Sequence, residues 1–149
     1  MNNNEFLPLP DNPGCYEELK DGNCYFVDKT EYLKTVFTSS TKVLLFTRPR
    51  RFGKTVMANM VSAFFSRGVD STEIFSKLKI AESTDYKKHL NTHDVIRIDF
   101  SRMPRNCNSY DKYIERIERI LIQDLMEAYP KADIQEEDAV WDSLDLVYE

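Results

Sequence analysis
The sequence predicts an α/β chain with a small parallel sheet, and three features carry that prediction. Residues 42–46 (KVLLF) form a nearly unbroken apolar run, the pattern of a strand covered on both faces by helices. Residues 95–98 (VIRI) form a second run, so strands are expected at 42–47 and 94–99. Between them Val56, Met57, Met60, Val61, Phe64 and Phe65 recur at helical spacing, which gives strand, helix, strand in chain order.

The turn that joins the first strand to this helix reads TRPRRFGKT, residues 47–55, and ends in Gly53, Lys54 and Thr55. There the N–H groups of a helix start, the positive end of its dipole, a lysine ammonium and a short hydroxyl converge on one anionic ligand. A nucleoside triphosphate with its magnesium uses all of them. The expected site is therefore Arg50, Arg51, Phe52, Gly53, Lys54 and Thr55. Main-chain N–H groups would hold the phosphates of ATP, Lys54 would reach the outer ones, and Thr55 would ligate Mg2+. Asp99, closing the second run, is a further candidate for the magnesium or its waters.

One position departs from the G-x-x-x-x-G-K-[ST] pattern of a Walker A loop. Five residues before Gly53 stands Arg48 and not glycine, and Pro49 biases Arg48 toward extended geometry. A basic strand-to-helix turn without a ligand is the alternative reading. The fold class that follows is an incomplete P-loop NTPase three-layer sandwich with a parallel sheet core. With two legible strands, at least one sheet edge stays open, so self-association or a partner is expected.

The remaining elements follow in order. Residues 1–21 are rich in Asn, Pro and Gly and read as an irregular leader. Asp28 is placed to cap a helix, with Glu31 three positions on and Leu33, Val36 and Phe37 as its buried stripe; Ser39 and Ser40 end it. Arg67 and Gly68 are expected to close the helix after the turn. Ser71 or Thr72 opens a short helix through Ile74, Phe75 and Leu78, and residues 83–90 suit another. Residues 104–108 form a loop, after which Ser109 caps the longest helix. Its stripe is Tyr113, Ile114, Ile117, Ile120, Leu121, Leu125 and Met126, while Glu115, Arg116, Glu118 and Arg119 face water until Pro130. The acidic tail, 130–149, carries Trp141, Leu144 and Val147 at helical intervals.

Composition bounds the function. A chain of 149 residues suits one domain, and 42% hydrophobic with 30% charged residues is ordinary for a soluble protein. The start lacks a signal peptide, and no apolar run approaches the ~20 residues of a membrane span, so a cytoplasmic protein is expected. Cys15, Cys24 and Cys107 form no C-x-x-C pair and fit free thiols in a reducing compartment. His89 and His93, four apart, lack the glutamate of a zinc protease and read as surface or capping histidines. A net charge of -5 argues against broad nucleic-acid binding, and the cluster of Arg48, Arg50, Arg51 and Lys54 is explained by phosphate.

The stretches LFTRPRRFGKT (45–55), FVDKTEYLKTVF (26–37) and VIRIDF (95–100) together resemble the AAA-ATPase-like domain of bacterial and archaeal proteins, from about Asp11 to the tail. Arginine in place of the first glycine is typical of that family. The resemblance implies an ATPase-type nucleotide site, places residues 25–30 beside the base, and makes Asp99 part of the second strand and not of Walker B. In the family a nuclease-like domain often follows, so any nucleic-acid partner would come indirectly through it. The Walker B strand that the family leads one to expect is absent: nothing in residues 101–149 reads as four apolar residues and then paired acids. The chain thus resembles the N-terminal portion of the domain, with no assignable catalytic base and no hydrolysis expected from it alone. A noncatalytic interaction module with a vestigial anion site is the reading from another class, and arginines holding nucleic acid is a third.

Overall fold
A computed structural model of the chain describes residues 27–47, 49, 52–100 and 107–148. The leader, Cys15, Cys24, Arg48, Arg50, Arg51 and most of the 104–108 loop lie outside the described residues. The chain divides into two compact units, Met1–Arg97 and Ile98–Glu149.

The first unit contains α1 (Tyr32–Thr38), α2 (Lys54–Phe65), α3 (Thr72–Phe75), a 3-10 turn (Lys79–Glu82) and α4 (Tyr86–His89). Its core is centred on Phe64, which is fully buried and meets Phe65 and Phe75 edge-on at 5.0 and 5.2 Å and Tyr86 at 5.9 Å. Leu33, Met57, Met60 and Ile80 complete it. Full burial of one such side chain stabilises by roughly 1.5–3 kcal/mol, so this cluster is the main favourable term in the unit. Most of the stripe anticipated for α2 is thus the observed core.

The entry to α1 differs from the expected capping box. Asp28 accepts hydrogen bonds from the Thr30 N–H (2.8 Å) and hydroxyl (2.7 Å) and from the Lys79 N–H (2.8 Å). The buried Thr30 oxygen in turn accepts from the Ile80 N–H at 3.2 Å. Asp28 therefore ties the chain before α1 to the start of the 3-10 turn, while Glu31 stands 3.7 Å from Lys79 Nζ in a largely exposed pair of little energetic weight.

Helix α2 ends at Phe65, earlier than Arg67 and Gly68 suggest. Its last carbonyls have no acceptor role within the helix and need outside donors. Residues 71 and 91–93 supply them. Asn91 N–H donates to Phe64 O (2.8 Å), His93 N–H to Phe65 O (2.9 Å), and Asn91 Nδ2 to Ala63 O (3.2 Å) and Ser66 O (2.9 Å). Ser71 Oγ donates to Ala63 O at 2.7 Å. Asn91 sits at φ 53, a left-handed conformation that asparagine tolerates better than most residues. Arg67 turns to Asp94, with Nε 3.0 Å from the carboxylate.

The parallel sheet core is not found, and the α/β sandwich is corrected to a helical architecture among the described residues. Residues 43–47 and 94–99 are irregular, and the parallel contact between Ser66 and His93 is an isolated bridge. Val43 and Leu45 are 84% and 86% exposed, and Ile96 and Ile98 are also exposed. An apolar run reports a wish for burial, but a strand exists only where a neighbour completes its ladder, and isolated two-strand pairings are marginal. The core of the first unit closes on helices without either run. Without a sheet, the open-edge reason for self-association falls as well.

The second unit pairs α5 (Tyr110–Ala128) with α6 (Val140–Tyr148). Ser109 caps α5 as expected, its hydroxyl accepting from the Lys112 N–H at 3.3 Å. Ile122, Leu125 and Ile134 form the core, with Leu144 and Val147 packed against it. Ile120, expected inside, is 41% exposed, and Trp141 is 77% exposed.

Candidate functional site
Glycine at position 53 is explained by backbone geometry. Gly53 is the residue before α2 and adopts φ 74, ψ 27, the left-handed region where a side chain is strained. A Cβ there would meet nothing within 4 Å, so the constraint is conformational and not steric crowding. The turn into it is closed by the Phe52 N–H on Pro49 O at 3.4 Å, and Phe52 is 64% exposed.

The first hydrogen bond of α2 runs from the Met57 N–H to Gly53 O at 2.9 Å. The amides ahead of Met57 precede the helix's own ladder and lie at its positive end. Lys54 and Thr55 open the helix, both exposed, and no acidic residue stands in its first turn. Gly53, Lys54 and Thr55 are therefore gathered at one exposed, electropositive helix start in a helix of 12 residues, whose far end is held in the core by Phe64 and Phe65. This arrangement suits an anion with a cation beside it.

The other expected residues are placed differently. Arg50 and Arg51 lie outside the described residues. Asp99 is exposed, belongs to the second unit and does not end a strand, so the geometry that recommended it for magnesium is absent. Of residues 25–30, Asp28 and Thr30 are engaged in the tie to Lys79 and Ile80. Among the described residues no group of three or more His, Cys, Asp or Glu is arranged to hold a metal ion. Cys107 is a free thiol.

His89 and His93 come together more closely than surface histidines need to. Their Nδ1 and Nε2 atoms are 3.0 Å apart. Phe37 lies parallel to His89 at 4.6 Å, and the rings border a pocket of about 310 Å³ that also reaches Asp94 and Val95. Burial holds the His89 ring below the usual histidine value, and the neighbouring His93 and Lys88 add to that effect against an opposing Asp85. The four-residue spacing was the only sign of this in the sequence.

With the helix start and its motif in place, the comparisons agree with the resemblance. The AAA-ATPase-like family model, described as a predicted AAA-ATPase, matches residues 14–148, and the chain belongs to that family. No curated protein and no solved structure matches it. Among the described residues no helix is long and apolar enough to cross a membrane.

Proposed function
We propose that the chain binds ATP with magnesium at the turn and helix start spanning residues 50–55. The observation that carries this reading is the left-handed Gly53 immediately before Lys54 and Thr55 at the start of α2. Membership of a predicted AAA-ATPase family supports it. The backbone N–H groups of Arg50, Arg51, Phe52, Gly53, Lys54 and Thr55 are assigned to the phosphates, the Lys54 ammonium to the outer phosphates, and the Thr55 hydroxyl to Mg2+. Asp99 is retained only as a residue to test, through magnesium dependence.

Hydrolysis is a separate matter. No residue of the chain is assigned as the base that activates water, and no run of the Walker B type is legible, so binding without appreciable turnover is the proposed activity. Calorimetric titration of magnesium-ATP into the full chain tests it. Saturable binding that Lys54→Ala weakens tenfold or more, roughly the loss of one charge-assisted contact, supports the site. Equal affinity in the variant rejects it. A noncatalytic module with a vestigial anion site is favoured if inorganic phosphate binds as well as the nucleotide and magnesium has no effect.

A further inference from the structure
The two histidines at the end of α2 are joined by more than proximity. Their ring centroids are 5.2 Å apart with an interplanar angle of 12°, while the facing nitrogens are 3.0 Å apart. The centroid separation nearly equals the nitrogen separation plus the two ring radii, which is the largest value it can take. The nitrogens therefore face each other almost along the line between the rings, and the rings lie nearly in one plane, end to end. This is the geometry of an N–H···N hydrogen bond, satisfied when one nitrogen carries a proton and the other offers its lone pair.

The same geometry disfavours a metal. An ion about 2.0–2.1 Å from each nitrogen needs lone pairs that converge on a point to one side of the pair, and here they point at one another. A proton fits between them. Neutral, the pair holds two ring protons; with one imidazolium it holds three, and the bond persists with charge assistance. A fourth proton would set two N–H donors head to head.

His93 is also a structural tether. Its N–H donates to Phe65 O, and its carbonyl accepts from the Arg67 N–H, both at 2.9 Å, next to the Asn91 N–H on Phe64 O. His89, on α4, lies between this tether and Phe37 of α1. Phe65 meets both imidazoles edge-on, at 6.3 and 5.3 Å. We propose that His89 and His93 form a proton-operated clasp that fastens the 91–94 segment to the end of α2 and releases it when both rings become cationic.

The charged groups around the clasp set its direction. Asp85 and Lys88 act on His89 from α4 and its approach, and Asp94 lines the same pocket but is engaged by Arg67. The facing parts of α1 and α2 bring Val36, Phe37 and Phe65, which cannot stabilise a second cation by charge. The lowered His89 value agrees in sign: the open state binds more protons below about pH 6.5, so the closed clasp loses stability as pH falls and keeps it above that value.

Imidazole nitrogen NMR of the full chain from pH 8 to 5, followed by amide hydrogen exchange, tests the clasp. The pair should take up protons in coupled steps, with the His89 ring below the ordinary histidine value. Across the lower step, protection of the Asn91 and His93 amides should fall about tenfold relative to amides in α5, after correction for intrinsic exchange. In His93→Gln, His89 should titrate in one step at higher pH, and the step in protection should vanish. Independent titration of the two rings, or constant protection through the lower step, overturns the proposal. The native-chain titration decides this even if the variant does not fold.

Discussion
Asn91 Oδ1 accepts from the Ser71 N–H at 3.0 Å and lies 3.1 Å from the Ser71 hydroxyl, while the same amide's Nδ2 donates to Ala63 O and Ser66 O. One side chain thus joins the approach to α3 to the last carbonyls of α2. Asn91→Ala should lower stability to denaturant by about 3 kcal/mol, through lost hydrogen bonds, unsatisfied partners and left-handed strain. Asn91→Gly, free to adopt the same φ, should recover about 1 kcal/mol of that. Equal stability of the two variants would remove the backbone from this explanation.

Asp28 predicts an acid-sensitive fold. Burial pushes its carboxyl up, but the Lys79 and Thr30 N–H groups and the Thr30 hydroxyl together outweigh this, and it ends below the ordinary value of 3.8. A depressed carboxyl contributes stability that is complete above its unfolded value and is lost as pH falls through the folded one. Stability should therefore decline from about pH 4 downward, and Asp28→Asn should flatten that part of the profile while lowering stability at pH 7. Denaturant midpoints measured at several pH values check both.

Much of the helical core was legible in the sequence, because Met57, Met60, Phe64, Phe65, Tyr113 and Leu125 repeat at the helical period and are buried. Ser109 was legible as a cap because capping is local. The sheet was misread for a physical reason: periodicity sees the apolar run at 42–46 but not whether another strand is there to pair with it. The bond between Ser71 and Asn91 and the tie from Asp28 to Lys79 were illegible because they span 20 and 51 residues. The helix start at Gly53, Lys54 and Thr55 falls where the sequence pattern put it, whereas the head-on meeting of His89 and His93 depends on the turn through Asn91 between them.

Gly53→Ala separates backbone strain from crowding. Because nothing stands within 4 Å of the added carbon, the substitution should cost only the left-handed strain, about 1 kcal/mol of stability. If the helix relaxes to relieve it, the amides at the start of α2 turn away and magnesium-ATP affinity falls with little change in cooperativity of unfolding. Full affinity together with lowered stability would show that the left-handed turn serves the fold alone.

Steady-state ATP hydrolysis should be near background, since no water-activating acid is assigned in the chain. Thr55→Ala should reduce the magnesium dependence of nucleotide binding more than binding without magnesium. A phosphate-release assay and paired titrations with and without magnesium measure these. Turnover that Lys54→Ala abolishes would bring Asp99 forward as the first residue to replace.

The most direct test of the nucleotide site is a backbone amide NMR titration of the full chain with magnesium-ATP. A triphosphate held at the start of α2 should move the amides of Phe52, Gly53, Lys54 and Thr55 most and leave those of α5 and α6 unchanged, with the perturbation lost in Lys54→Ala. Saturable shifts confined to other residues, or none at millimolar nucleotide, would rule the site out.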